Sequence, residues 1–227
     1  MEWVYPRTDG SVVRTSWRTY VVLLHTFLAS VRVMGHGART GLTPEYVDKT
    51  ILRWCRHVFG VSRTALGTER SEGLGEEPCV LLSNHMSLLD IPAVCATYPG
   101  RVRFVAKQEL RKVPAFGAAM AASGIVFVDR ADRARAIEQL RAARSLLEGG
   151  TSLWIAAEGS RSRDGRLHGF KKGGFHVAMD LGVPIVPTWI QGTLDVLPPD
   201  QWASVTDQAV TVWYGAPIPT QGCTRDD

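Results

Sequence analysis

"CVLLSNHMSLLD", residues Cys79–Asp90, joins an apolar run to a loop that carries a histidine and an aspartate. Cys79–Ser83 has the length and the continuous apolar character of a strand buried on both faces, and Ser87–Tyr98 reads as a helix. A loop that merely leaves a sheet needs turn chemistry such as Gly, Pro or Asn. It does not need His85 and Asp90. On a regular helix five residues turn the chain through about 500°, which would leave the two side chains about 140° apart. They meet only if His85 lies in the loop and Asp90 in the first turns of the helix, with Ser87 as its N-cap. Asp90 then accepts a hydrogen bond from one ring nitrogen and leaves the other free as a base. Taken alone, Asp90 is also an acid at a helix N-terminus, where the helix dipole favours it.

Outward from this stretch, short apolar runs alternate with helical patterns. Strands are predicted at Val102–Ala106, Ile125–Val128, Ser152–Ala157, Ile185–Ile190 and Val210–Tyr214. Helices are predicted at Val113–Ser123, Ala131–Glu148 and Gly173–Leu181. The alternation implies an α/β fold, a central, mostly buried mixed sheet flanked by helices. "SEGLGEEP" (Ser71–Pro78) is rich in turn residues and divides the chain into an N-terminal part, 1–70, and a catalytic-type domain, 71–227.

The N-terminal part differs in character. Its seventy residues hold ten Lys/Arg against five Asp/Glu, a net of +5, whereas the whole chain is only +4. An anionic surface is the partner this implies, and no basic tract interleaved with aromatics points to nucleic acid. Thr19–Val31 is free of formal charge for thirteen residues and flanked by Arg18 and Arg32. A spanning helix needs about twenty apolar residues, so this run reads as too short to cross. Thr43 and Pro44 open a second, amphipathic helix to Gly60, with Val47, Ile51, Trp54, Cys55 and Val58 on one side. The two helices suit insertion into one leaflet or, equally, a hairpin over a soluble core. No secretory signal is visible. Cys55, Cys79, Cys95 and Cys223 show no metal-ligand spacing and read as reduced thiols of a cytosolic compartment.

Two further polar clusters follow strand ends. "GIVFVDR" (Gly124–Arg130) delivers Arg130, and "AAEGSRS" (Ala156–Ser162) delivers Glu158, Gly159, Ser160 and Arg161. In α/β sheets such loops gather at one rim, where ligands bind, and a glycine loop beside arginines suits a phosphate. Each alone also reads as a solvated turn.

In order and spacing, "NHMSLLD", "GIVFVDR", "EGSRS" and "VPIVP" (Val183–Pro187) resemble the four motif blocks of the glycerolipid acyltransferases, the family of the lysophosphatidic-acid acyltransferases. The resemblance covers about residues 79–190. "AKQEL" (Ala106–Leu110) is similar to the family's basic segment, and the N-terminal helices look like its two-helix membrane motif. The resemblance implies that His85 deprotonates an acceptor hydroxyl, which attacks an acyl thioester, with Asp90 orienting the imidazole and no acyl-enzyme formed. It implies that Lys107, Arg130, Glu158, Gly159, Ser160 and Arg161 shape the acceptor site, the arginines meeting a phosphate. The resemblance implies an acyl thioester of coenzyme A or acyl carrier protein as the co-substrate, and no metal or other cofactor. The partners it implies are membrane lipids at the cytoplasmic face, met in a monotopic or peripheral way.

Two departures from the pattern stand out. Ala156-Ala157 replaces the family's Phe-Pro, which frees a backbone dihedral and is expected to soften the loop. Ser160 replaces a common threonine. These changes bear on the acceptor and leave another lysolipid or a lipoamino acid open beside 1-acylglycerol 3-phosphate. Two other readings remain, a catalytically silent lipid-binding protein and a thioester hydrolase.

Overall fold

The computed structural model describes residues 14–129, 131–141 and 143–223. In chain order the elements begin with β1 (Arg14–Thr15), α1 (Ser16–Thr40), α2 (Pro44–Ser62), β2 (Ala65–Arg70), β3 (Val80–Ser83) and α3 (Asp90–Thr97). They continue with β4 (Arg101–Lys107), a 3-10 turn (Gln108–Lys112), α4 (Phe116–Ala122), β5 (Val126–Val128), α5 (Arg133–Arg141) and α6 (Arg144–Glu148). The last are β6 (Thr151–Ala156), α7 (Gly173–Leu181), β7 (Ile185–Gln191), α8 (Thr193–Val196), β8 (Ser204–Val205) and β9 (Ala209–Tyr214).

Seven strands form one sheet in the order β2-β9-β7-β3-β6-β4-β5. The five from β7 to β5 are parallel, β9 runs antiparallel to β7, and β2 is parallel to β9. The sheet is therefore mixed, as the sequence implies. Because successive side chains point to opposite faces, each inner strand feeds two cores. Leu81, Trp154 and Val186 join α2, α3 and α4 on one face, whereas Val80, Leu82, Leu153 and Ile185 join α5, α6 and α7 on the other. Continuous apolar runs are what a sheet covered on both faces requires.

The α1–α2 hairpin covers part of the first of these faces. Thr43 caps α2 by accepting from the Tyr46 amide, and Pro44 occupies the first turn. The helices run antiparallel, held by Arg18 on the Val61 carbonyl (2.7 Å), Trp54 Nε1 on Thr26 Oγ1 (2.8 Å), stacked His25 and His57, and stacked His36 and Tyr46. Cys55, Val58 and Phe59 of α2 enter the core, while α1 packs on α2 and α4. The outer side of α1 exposes Trp17, Tyr20, Leu24, Phe27, Val31 and Met34, a stripe at alternating steps of three and four.

Several expectations need correction. The boundary at residue 70 cuts off a strand: Ala65–Arg70 pairs along its whole length with β9, so the helical part ends at Ser62. The expected helix from Val113 starts only at Phe116, because Pro114 holds Val113 extended. The helix after residue 131 is two helices, α5 and α6. α1 has 25 residues, well beyond the thirteen uncharged ones, and is long and apolar enough to cross a bilayer by length and composition. Its length alone does not exclude crossing. The four cysteines are free, as read from their spacing, and Cys55, Cys79 and Cys95 are buried.

Candidate active site

The loop between β3 and α3 is built around one carboxylate. Ser87 accepts from the Leu89 amide with its hydroxyl and from the Asp90 amide with its carbonyl, so α3 starts at Asp90, later than the predicted Ser87 cap. Asp90, fully buried, turns back to receive His85 Nδ1 (2.8 Å), the Met86 amide (2.7 Å) and the Ser87 amide (3.0 Å) on Oδ2. An ionised carboxylate only accepts, so the bond to Oδ2 is made by a protonated Nδ1 and leaves Nε2 out of it. The relation inferred from the spacing, loop histidine to helix-start aspartate, is the one found.

Three neighbouring strands fix the histidine. Asn84 donates to the Ile190 carbonyl and accepts from the Ile190 amide (2.8 Å each), tying the end of β3 to β7 as a peptide would. Trp154 of β6 presents an edge to the imidazole at 6.0 Å between ring centroids and donates to Ser83 Oγ. Glu158, just past β6 and 3% exposed, accepts the His85 amide on Oε1 (2.7 Å) and the His168 amide on Oε2 (2.9 Å). Its charge is thus spent on two backbone amides.

A fourth contact was not foreseen. Thr193 Oγ1 donates to Asp90 Oδ1 at 2.5 Å, and Thr193 is fully buried. Gly192 before it has φ +87°, and a Cβ there would collide with the Ala209 carbonyl. Only glycine turns the chain so sharply there, and the turn brings Thr193 back over Asp90. A glycine followed by a hydroxyl residue at a strand end is the signal the sequence offered; the separation of 103 residues hid the partner.

A family model for acyltransferases matches residues 63–191. The 1-acyl-sn-glycerol-3-phosphate acyltransferase alpha of Homo sapiens is 34% identical over 152 residues, 66% of this chain and 53% of the human one. The Saccharomyces cerevisiae 1-acyl-sn-glycerol-3-phosphate acyltransferase is 34% identical over 158 residues, 68% of this chain and 52% of its own. The chain therefore spans about half the length of these curated relatives. The crystal structure of the 1-acyl-sn-glycerophosphate acyltransferase from Thermotoga maritima superposes with a TM-score of 0.77 at 27% identity, covering 93% of this chain and 86% of that one. The chain belongs to the acyltransferase family.

The remaining expected residues of this acyltransferase that the structure describes, Lys107, Gly159, Ser160 and Arg161, lie at the same carboxyl rim but do not all converge. Gly159 has φ +74°, a conformation that favours glycine, and packs against Lys171. Ser160 is exposed. Arg161 is partly buried, with Asp200 at 4.0 Å, and Asp200 pairs more closely with Arg163 (3.0 Å). Lys107 ends β4, separated from β3 by β6, and pairs with Glu109 at 3.0 Å. Arg130 lies outside the described residues. The expected softening at Ala157 is not what the hydrogen bonds indicate. Its amide donates to the Ser83 carbonyl (2.8 Å), a bond that proline cannot make, and its carbonyl accepts from Lys171. The loop is tied at that point.

Proposed function

We propose that this acyltransferase moves a fatty acyl group from an acyl thioester of coenzyme A or acyl carrier protein to the hydroxyl of 1-acylglycerol 3-phosphate, giving phosphatidic acid. The observation that carries the mechanism is His85 Nδ1 donating to the buried Asp90, which leaves Nε2 as the base. The acceptor oxygen attacks the thioester carbonyl carbon as its proton passes to Nε2. Asp90 stabilises the imidazolium that forms. The tetrahedral adduct collapses, the carbon–sulfur bond breaks, and the imidazolium returns the proton to the leaving thiolate. No covalent enzyme intermediate is needed. Arg161, at the rim beside the histidine loop, supplies charge for the acceptor's phosphate, with Arg130 on the next polar loop in the sequence. The names of the human, yeast and Thermotoga relatives support this acceptor over another lysolipid.

We place the enzyme on the cytoplasmic face, held by α1 in one leaflet. Although α1 is long enough to span, it is packed along one side on α2, which carries Asp48, Lys49, Arg53 and Arg56. Crossing would take those charges into hydrocarbon, at about 2.5–3.5 kcal/mol each on insertion scales.

Purified protein incubated with a labelled acyl thioester, with and without lysolipid, tests the reading. Labelled phosphatidic acid that needs 1-acylglycerol 3-phosphate is the expected result. Free fatty acid regardless of acceptor would identify a hydrolase, and no turnover a lipid-binding protein.

A further inference from the structure

The loop between β6 and α7 returns apolar side chains to water. In "RDGRLHGFKK" (Arg163–Lys172), Leu167 is 41% and Phe170 48% exposed. They are interleaved with Arg163, Arg166, Lys171 and Lys172, all exposed, against Asp164 as the one acid of residues 163–172. Apolar tips set among cations suit neither a solvated turn nor a protein core. They match the interface of an anionic bilayer, where the tips enter the acyl boundary and the cations meet phosphates.

The position agrees. The loop leaves β6 at the rim that carries His85, and Phe170 stacks on Phe175 at the start of α7. The same rim exposes Leu88 and Trp202. Trp202 lies two residues before β8, which pairs with β1, directly ahead of Trp17 and the apolar stripe of α1. The loop is also tied to the chemistry. Glu158 holds the His168 amide with one oxygen and the His85 amide with the other.

We propose that residues 163–172 form a second bilayer contact, belonging to the catalytic domain itself, that seats the mouth of the site on an anionic phospholipid surface. The role in turnover rests on the lysolipid reading above; the membrane contact does not.

The test has two arms. In the first, an environment-sensitive fluorophore is attached at Phe170→Cys in full-length protein carrying Cys223→Ser, the exposed native thiol. It is mixed with vesicles of phosphatidylcholine or of phosphatidylcholine with phosphatidylglycerol. The label is expected to shift to the blue and to be quenched by shallow nitroxide lipids, more strongly with phosphatidylglycerol. A label that stays equally open to aqueous iodide with and without vesicles, or that is shielded only by an acidic carrier protein, overturns the proposal. In the second arm, Leu167→Ser with Phe170→Ser is expected to lower turnover of bilayer-embedded lysolipid about tenfold and leave turnover of a short-chain, water-soluble acceptor unchanged. Equal loss with both acceptors would assign the loop to folding or chemistry. If the first arm succeeds while no acceptor is acylated at all, the function proposed above fails and the membrane contact stands.

Discussion

At the scale of the residue, the site turns on how one buried carboxylate distributes its hydrogen bonds. His85→Ala removes the proposed base, and general-base assistance contributes about 10²–10⁴ in rate. The variant, folded by circular dichroism, is expected to lose at least a hundredfold in kcat; retention of a tenth of the rate would remove His85 from the mechanism. Asp90→Asn presents an amide where Nδ1–H needs an acceptor, and it also disturbs the Met86 and Ser87 amides. Thr193 makes a finer test. Its hydroxyl donates to the Asp90 oxygen that His85 does not use. A hydrogen bond to a charged group contributes about 1.5–3 kcal/mol, so Thr193→Val should lower kcat about ten- to a hundredfold. The KM for both substrates should stay near the wild-type value, and Thr193→Ser should restore the rate. A raised KM without loss of kcat would mean that Thr193 faces substrate. Arg161→Ala should show that opposite pattern, a KM for phosphate-bearing lysolipid raised about tenfold with little change for the donor. Equal damage with an acceptor lacking phosphate would assign Arg161 to the fold.

At the scale of the element, the α1–α2 hairpin holds a pH-dependent joint. His25 and His57 stack with centroids 3.6 Å apart between the helices, and His25 Nδ1 and His57 Nε2 are buried without a hydrogen-bond partner among the described residues. Burial first, then the charges of His57 and Arg32, hold the His25 pKa below the ordinary 6.5. The unfolded chain therefore takes up a proton that the packed hairpin resists. The stability of this joint is fully present above pH 6.5 and is lost as pH falls below it. The thermal midpoint should drop between pH 7.5 and pH 5, and His25→Phe, which keeps the stack without the proton, should flatten part of that slope. An unchanged slope would show that the proton is accommodated without loosening the helices. Elements such as β3, β6, β7 and α7 were legible because their periodicity is imposed by burial on both faces. β2 was not: "ALGTER" is an edge strand, exposed at five of its six positions, and reads as a loop. His85 with Asp90 was legible because the partners are close in sequence. Thr193 was not, since only the order of strands brings β7 beside β3.

At the scale of the whole molecule, the hairpin cannot be treated as a detachable anchor. Deleting it would strip Cys55, Val58 and Phe59 from the core they share with β3, α3 and β9. A truncated chain would expose that core and fail for reasons unrelated to membranes. The attachment is better tested from the outside, where Leu24, Phe27 and Val31 stand exposed on α1. Substituting all three by serine removes the middle of the apolar stripe and leaves the contacts of Thr26 and His25 with α2 in place. Burying a side chain of this size contributes about 1.5–3 kcal/mol, enough in sum to move the protein from the membrane to the soluble fraction. Activity on bilayer lysolipid should fall with it, while activity on a short-chain soluble acceptor should persist, since His85 and Asp90 are untouched. High salt should not release the wild-type protein, because screening weakens the basic contacts and leaves the apolar insertion intact. Complete release by salt alone would show that the net +5 of the first seventy residues does the holding and that the stripe faces something other than lipid.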